Sequence, residues 1–428
     1  MEAWLSAGFR ALALLALTAV PLYALRARGR NYAIFAFATL ALALPGALVA
    51  EARLSATLPE GARGALALLF ALATFASGWH LATLSRARLR SSPFRLLVSV
   101  PGQTFLAAGF MAGLWLLALA PLRGILGLAG AERFAGALGW LDLLPFALAV
   151  LSVATSMRPV EETVRVPLAA SGPATVSRVP LERYRRRRTP APLEQRPLRL
   201  VQITDPHLGP WQPVHRLRAL VERQVARDPD LLLLTGDFLT MEGAGTPGAL
   251  TAALEPLARL RGRCFAIFGN HDHEAPEVVR GALEANGVEL LIDAEAIADT
   301  PVGRVQLIGA DYAWSERREH IRALLERFPR RPALPRILLL HDPSVFRHVP
   351  VGDVDLTLSG HTHGGQVGLV SFGSDWTVLT RTQWPDHGLF GHGSNRLYVH
   401  RGTGFYGFPL RVGVPGESSL LEVVLAPA

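Results

Sequence analysis

The pattern of apolar and polar positions divides the chain into two parts near residue 157. Before that point the sequence is rich in Ala and Leu and carries few charges, whereas beyond it charged residues and prolines recur. Five segments of the first part are apolar for about 19 residues or more, enough to cross a hydrocarbon core of ~30 Å. They cover residues 4–25, 32–50, 64–84, 96–122 and 134–157. The pattern predicts a transmembrane α-helical domain over residues 1–157.

From residue 198 onward, short apolar runs alternate with amphipathic stretches, as strands and helices do in turn. We expect strands at 198–204, 231–235, 263–268, 288–292, 305–309, 337–340 and 356–359, and helices at 213–227, 247–260, 276–286 and 315–328. Strand-like pieces at 377–379, 396–400 and 420–425 follow. An alternation that becomes β-rich predicts an α/β domain over 197–428, an αββα sandwich of two sheets with helices outside.

Residues 158–196 lie between these two parts and have scattered Pro, Gly and Ser without a helical period. We predict that they form a linker, with candidate short edge strands at 164–167 and 174–180. The linker carries a basic juxtamembrane cluster at 183–188, which suits contact with a lipid surface.

Arginines beside the apolar segments predict their orientation. The first and third connections are rich in arginine, at 26–30 and 86–95, whereas the second and fourth balance arginine with glutamate. Because short cytoplasmic loops carry the excess of positive charge, we expect an inner-membrane protein whose C-terminal domain is cytoplasmic. A cleavable signal peptide explains the first segment poorly, since it lacks a basic start and four more spans follow.

The net charge of +8 changes this picture little. All 43 basic residues are arginine, and many lie beside the apolar segments, where they set topology and attract anionic headgroups. No segment interleaves basic and aromatic residues as nucleic-acid-binding segments do, so we expect no nucleic-acid partner. The single cysteine, Cys264, excludes an intrachain disulfide framework and is expected to be a buried thiol.

Five short polar motifs follow the predicted strands and carry the candidate chemistry. They are Asp205-Pro206-His207, Gly236-Asp237, Gly269-Asn270-His271-Asp272, His341-Asp342 and Gly360-His361-Thr362-His363-Gly364-Gly365. In open α/β folds, ligands bind at the carboxyl ends of the strands, so we expect these side chains to meet. Carboxylate, imidazole and amide ligands suit Mn, Fe, Zn or Co, and two such ions held ~3.5–4 Å apart can clamp a phosphate.

In this order, the five motifs resemble those of the calcineurin-like metallophosphoesterase superfamily, over about residues 198–424. The resemblance implies two divalent metal ions: one held by Asp205, His207, Asp237 and His363, the other by Asp237, Asn270, His341 and His361. It also implies that His271 lies over the substrate, to protonate the leaving oxygen or stabilise its charge, and that Asp272 orients His271. Thr204 and Pro206 depart from the usual pattern without removing a ligand.

A closer similarity is to bacterial membrane-attached members, the YkuE/YaeI-like phosphodiesterases and a group of UDP-2,3-diacylglucosamine pyrophosphatases of lipid A synthesis. It rests on Gly364-Gly365-Gln366, on residues 399–404 and on residues 409–411. Two arginines of the last two blocks, Arg401 and Arg411, are candidate substrate-binding residues, with a structural role at a turn as the alternative.

We therefore expect a membrane-embedded dinuclear-metal phosphoesterase that hydrolyses a phosphodiester or pyrophosphate. A lipid-linked substrate such as UDP-2,3-diacylglucosamine is favoured, because a tethered enzyme gains effective concentration toward an interfacial lipid. The alternative is a sensor or regulatory membrane protein with a phosphodiesterase or phosphatase output domain. An inactive scaffold is disfavoured because all seven ligand positions are intact. Metal identity and oligomeric state stay open.

Overall fold

The computed structural model describes residues 2–168, 171–185, 193, 195–405 and 407–424. The chain forms two compact units, each with its own internal contacts. One unit comprises residues 1–154 together with 407–410, and the other comprises 155–406 together with 411–428. The arginines at 186–188, most of the predicted basic cluster, lie outside the described residues.

The first unit is helical. Its helices are α1 (Glu2–Arg28), α2 (Arg30–Thr57), α3 (Glu60–Thr83), α4 (Ser92–Phe94), α5 (Val100–Leu128), α6 (Glu132–Leu141) and α7 (Leu144–Ser156), whose last two residues belong to the second unit. Among the described residues, five stretches are long and apolar enough to cross a membrane: Trp4–Arg28, Arg30–Thr57, Glu60–Arg86, Ser92–Leu128 and Ala137–Ser156. The prediction of five apolar helices is therefore confirmed.

The fourth stretch begins at Ser92, earlier than the predicted residue 96, and continues through Pro101. A single π-helical turn, Arg95–Ser99, joins α4 to α5 directly before this proline. A wider turn accommodates a proline, which has no N–H and whose ring crowds the preceding carbonyl.

Small residues let α2 and α5 approach closely. A Cβ atom on Gly46 would collide with the backbone of Gly109, and one on Gly109 with the backbone of Ala43. Transmembrane helices associate through such small-residue contacts, since lipid supplies no hydrophobic drive between them. Large apolar side chains such as Leu14 and Leu117 are exposed on the unit, as residues that face lipid would be.

The second unit contains two sheets, each seven-stranded over the described residues. The strands are β1 (Val160–Pro167), β2 (Ser177–Arg178), β3 (Glu182–Arg185), β4 (Leu198–Ile203), β5 (Leu231–Leu234), β6 (Cys264–Ala266), β7 (Glu289–Leu290), β8 (Ala294–Thr300), β9 (Gly303–Gly309), β10 (Arg336–Leu339), β11 (Leu356–Ser359), β12 (Gly388–His392), β13 (Asn395–Val399) and β14 (Glu417–Val424). The strand orders are β3-β1-β14-β4-β5-β6-β7 and β2-β12-β13-β11-β10-β9-β8. Strands β4 to β7 run parallel, as do β9, β10, β11 and β13.

The sheets pack face to face around one apolar core, to which β4, β5, β10 and β11 each contribute leucines. The helices of this unit are α8 (Val214–Val225), α9 (Met241–Ala244), α10 (Ala249–Leu254), α11 (Pro276–Ala285) and α12 (Arg317–Arg327). Helix α12 buries Ile321, Leu324 and Leu325 against the outer face of the second sheet. Strands covered on both faces need no polar alternation, which explains the run of four leucines in β5. The predicted αββα sandwich is confirmed.

The predicted linker at 158–196 contains strands, and two of them, β1 and β2, overlap the edge strands predicted at 164–167 and 174–180. Strand β1 lies inside the first sheet, between β3 and β14, and β2 joins the edge of the second sheet. The parallel partner of Val160 is Glu417, more than 250 residues later, so no local pattern reveals this pairing. The strand predicted at 377–379 is also wrong: Thr377 makes only an isolated bridge to Gly368 within a loop.

Candidate metal centre

The predicted ligands lie in the loops that follow five parallel strands. Asp205 follows β4, Asp237 follows β5, Asn270 follows β6, His341 follows β10, and His361 with His363 follows β11. Five of the seven predicted ligands have a left-handed backbone: Asp205, His207, Asp237, His361 and His363, with φ between 44° and 68°. Such strain at residues with side chains is costly and clusters at functional sites.

The first group of side chains comprises Asp205, His207 and His363, all buried. Their candidate ligand atoms lie within 4.8 Å of one another. The Nε2 atoms of His207 and His363 are 3.2 Å apart, and Nε2 of His363 is 3.4 Å from a carboxylate oxygen of Asp205. Imidazole nitrogens that converge with a carboxylate oxygen form a donor set for a divalent transition metal.

The second group comprises Asp237, His341 and His361, again within 4.8 Å of one another. The Asp237 carboxylate lies between the two groups. Its Oδ2 atom is 3.3 Å from Nε2 of His341 and 3.8 Å from Nε2 of His207 in the first group. A carboxylate in this position can contact two ions at once, as in two-metal sites.

Hydrogen bonds hold the ligands in place. The Asp205 carboxylate accepts from the Thr204 hydroxyl at 2.7 Å and from the backbone N–H of His361 at 3.1 Å. His341 Nδ1 lies 2.6 Å from the Thr235 carbonyl oxygen and, as its donor, leaves Nε2 to face Asp237. Fixing one ring nitrogen in this way selects the tautomer that a metal ligand needs.

Asn270 provides a further sign that the site fits a cation. Its side-chain Oδ1 atom is buried and has no hydrogen-bond partner among the described residues. A buried amide oxygen without a partner costs free energy unless something occupies its lone pairs. A divalent ion is a suitable partner, so the seven predicted ligands fit the group that the resemblance implies.

The electrostatics of the site also favour a cation. Burial raises the pKa of the Asp205 carboxyl to about 6 and lowers the pKa of His207 to about 3. Burial would also lower the pKa of His341, but the adjacent Asp237 carboxylate raises it to about 10. Burial opposes the charge of Asp237 too, yet His341 holds its pKa below the usual range. Asp237 and His341 therefore each favour the charged form of the other, and a cation bound beside Asp237 would take the place of a proton on His341.

Asp272, predicted to orient His271, makes its hydrogen bonds to backbone groups, and a role toward His271 stays a prediction. Its carboxylate accepts hydrogen bonds from the backbone N–H groups of Asp237, Phe238 and Gly269, at 2.7–2.8 Å. The carboxylate therefore ties the loops after β5 and β6 together. The residue beside the His271 ring is Glu274, whose Oε1 atom is 3.0 Å from Nδ1. Glu274 lies three residues later on a short 3₁₀-helix, a spacing from which it could have been predicted.

Arg401, a predicted substrate-binding residue, lies inside the sandwich. Its guanidinium group is 2% exposed, donates to Glu162 at 2.7 Å and lies 3.4 Å from a carboxylate oxygen of Glu417. Tyr398 donates its hydroxyl proton to Glu417 in the same network. These contacts give Arg401 structural partners on β1 and β14, and its role toward a substrate stays a prediction.

Arg411, the second predicted substrate-binding residue, is also buried and lies directly behind the first group of ligands. Its guanidinium donates to the carbonyl oxygens of His363, Arg401 and Gly404, at distances of 3.1, 2.7 and 2.5 Å. Its Nη2 atom is 3.2 Å from Nδ1 of His363. The contacts place Arg411 where it supports a candidate ligand, while contact with a substrate remains a prediction.

Two residues near the second group were missed by sequence reasoning. The Tyr312 ring lies 6.1 Å from the rings of His341 and His361, and Arg317 bonds both the Tyr312 hydroxyl and the Asp342 carboxylate. Tyr312 follows the end of β9, so the strand-end rule could have found it. No local signal marks Arg317.

Comparisons with known proteins agree with this geometry. Residues 198–365 match the family described as Calcineurin-like phosphoesterase. Phosphodiesterase YaeI of Escherichia coli is 29% identical over 53% of this chain and 83% of its own length. The uncharacterized metallophosphoesterase YkoQ of Bacillus subtilis is 32% identical over 45% of this chain and 72% of its own.

A vertebrate relative links the same domain to a membrane. The Danio rerio transmembrane protein with metallophosphoesterase domain is 30% identical over 54% of this chain and 54% of its own length. This chain thus spans only about half of that relative. Together with the apolar helices, the match supports a membrane protein that is a metal-dependent phosphoester hydrolase. The chain belongs to the calcineurin-like metallophosphoesterase family.

Proposed function

We propose that this protein is a membrane-embedded, dinuclear-metal phosphoesterase that hydrolyses a phosphodiester or pyrophosphate bond of a lipid-linked substrate. The observation that supports the reaction class is the pair of ligand groups with the Asp237 carboxylate between them. Two divalent ions bound there supply the positive charge that clamps a phosphate and lowers the pKa of a water molecule. The proposed ligands are the seven residues named above.

The protein's own residues position the substrate and move its protons. His271 follows Asn270 on the rim of the centre, with its ring 5.8 Å from that of His207 and its side chain 22% exposed. Burial lowers the pKa of His271, but the Glu274 carboxylate beside it outweighs burial and raises the pKa above its usual value. A partly exposed imidazole with a raised pKa is a suitable proton donor to the leaving oxygen.

The inference of a lipid-linked substrate is supported by the contacts of Arg411. The backbone N–H of Arg411 donates to the hydroxyl of Ser156 at 2.9 Å, and its guanidinium donates to the carbonyl of His363. Ser156 is the last residue of the last apolar stretch, and His363 is a proposed ligand. One residue therefore connects the end of a candidate membrane span to the centre, which suits a substrate presented at the bilayer surface.

A hydrolysis assay of the purified full-length protein, in detergent with added Mn²⁺, tests this proposal. We expect UDP-2,3-diacylglucosamine, the first candidate substrate, to yield UMP and a lipid phosphate. If only bis-p-nitrophenyl phosphate is hydrolysed, the protein is still a phosphodiesterase, but the lipid A precursor is excluded as its substrate. If neither compound is hydrolysed, the sensor or regulatory alternative is favoured. The contact of His80 with Gln103 inside the helical unit, at 2.7 Å, is the observation that favours a sensing role.

Replacing His271 with Gln tests the proposed proton donor. We expect a loss of about 10²–10⁴-fold with an alkyl phosphodiester, whose leaving oxygen needs a proton, and a much smaller loss with a p-nitrophenyl ester. The measurement is kcat for both substrates. His273→Gln is the matched control, because this neighbouring imidazole instead contacts Asp311 at 3.0 Å. Equal losses with both leaving groups would contradict the assignment.

We also propose that the protein lies in the inner membrane with its catalytic domain in the cytoplasm. The support is the alternation of arginine-rich and arginine-poor connections between five apolar stretches. If a C-terminal tag were accessible only from outside intact cells, the proposed orientation would be wrong.

A further inference from the structure

The loop between the metal-ligand segment and β12, residues 367–385, exposes an unusual number of large apolar side chains. We call it the aromatic loop. Its exposed members are Leu369, Phe372, Trp376, Val378 and Trp384. The Phe372 side chain is 80% exposed and Trp376 is 46% exposed. Several large apolar side chains exposed on one loop favour a site of interaction over an ordinary solvated loop.

The aromatic loop starts beside the point where the chain leaves the last apolar helix. The N–H of Gly368 donates to the Val412 carbonyl at 2.9 Å, and the N–H of Ser371 donates to the Gly413 carbonyl at 2.8 Å. Residues 412 and 413 directly follow Arg411, whose N–H bonds the Ser156 hydroxyl. Residues 411–413 therefore link the base of the loop to Ser156, the end of a candidate membrane span.

The aromatic loop also borders the metal centre. A Cβ atom added at Gly365 would meet the side chains of Val378 and Leu379 at 3.1–3.2 Å, so the loop packs on the segment that carries His363. Gly364 and Gly365 both have a positive φ, which lets the backbone turn tightly beneath the loop. Whatever covers the exposed apolar side chains therefore lies next to the mouth of the centre.

We propose that the aromatic loop inserts into the headgroup region of the bilayer and holds the metal centre at the membrane surface. Trp and Phe suit this depth, since an aromatic ring, and above all the amphipathic indole, is favourable at the membrane–water interface. Arg381, exposed in the same loop, can reach anionic headgroups. The occupant is lipid rather than a second protein, because the loop is continuous with contacts made by the end of a membrane span.

Site-specific fluorescence of the full-length protein in nanodiscs tests this proposal. Phe372→Cys is labelled with an environment-sensitive fluorophore. The native Cys264 is buried, and burial raises the pKa of its thiol to about 12, so it will not react. Nanodiscs with and without nitroxide-labelled headgroups are compared. We expect a blue shift on transfer from detergent to nanodiscs, and quenching by the nitroxide lipid.

Val351→Cys is the matched control. Val351 is an equally apolar residue, 57% exposed, but it precedes the start of β11, whereas the metal ligands follow its end. The label at 351 should remain unquenched. Trp376→Cys provides a second position on the loop if Phe372→Cys folds poorly. Equal quenching at the loop and at 351, or none at either loop position, would overturn the proposal.

The result is independent of the proposed reaction, because quenching requires no turnover. Hydrolysis of bis-p-nitrophenyl phosphate is measured on the same labelled samples. Quenching without hydrolysis would leave the loop insertion standing and remove the phosphoesterase assignment. Hydrolysis without quenching would keep the phosphoesterase assignment and remove the loop insertion. The loop would then be available to a protein partner instead.

Discussion

Asp237→Asn is expected to reduce metal-dependent hydrolysis of bis-p-nitrophenyl phosphate by about 10³-fold or more, well beyond the 10–100-fold typical of residues that only support ligands. The reason is position: one oxygen of Asp237 lies between His207 of one ligand group and His341 of the other. Asn keeps the shape but removes the negative charge that would hold two cations close together. Turnover and bound metal per protein, the latter by elemental analysis, are the measurements.

Asp230→Asn is the matched control for this change. Asp230 is also a buried carboxylate, located directly before β5, while Asp237 follows the same strand. It bonds the Arg196 guanidinium at 2.7 Å and the Arg199 backbone N–H at 2.8 Å, away from the ligands. We expect Asp230→Asn to lower stability but to retain both metal ions. Full metal content and activity in Asp237→Asn would exclude the bridging role.

Arg401→Met is expected to lower the free energy of unfolding by about 3–5 kcal/mol, because it leaves buried carboxylates without their cation. Glu162 and Glu417 are both buried, and Arg401 is among the neighbours that hold the pKa of Glu417 below its usual range despite burial. Without that guanidinium, neither buried carboxylate keeps the ion pair that it makes with Arg401. Denaturant unfolding of the full-length protein measures the loss.

Arg218→Met provides the comparison for this second change. Arg218 pairs with Glu255 at 2.6 Å, but both side chains are at least half exposed, so the expected cost is only about 0–1 kcal/mol. If Arg401→Met leaves stability unchanged and raises only the KM for substrate, then the predicted substrate contact is favoured over the structural one. Loss of stability with an unchanged KM in the remaining folded protein would favour the structural role.

The local pattern of apolar and polar residues was sufficient to predict much of the fold. The strand that ends before Asp205, the one before Asp237 and the one before His361 were predicted to within a residue, because runs covered on both faces are apolar throughout. The five apolar helices were equally visible, since crossing a membrane demands an uninterrupted apolar length. Both signals lie within a window of about 20 residues or fewer.

Pairings between distant segments were not visible. Half of strand β1 was predicted, as a short edge strand at 164–167, but its position inside the sheet was not, because its partner β14 begins more than 250 residues later. Glu162 of β1 and Glu417 of β14 meet Arg401 only through that pairing, so a network that holds the sandwich together was invisible in the sequence. Burial likewise decided that Asp272 binds backbone N–H groups rather than the ring of His271.

The sequence by itself determined which residue types were available and in what order they follow their strands, and therefore the family and the ligand set to be expected. Only the tertiary structure decided which oxygen of Asp237 faces both groups, and that Arg411 connects Ser156 to His363. The physical reason is that periodicity and spacing report local backbone geometry. Side-chain partnership instead depends on contacts between segments that are hundreds of residues apart.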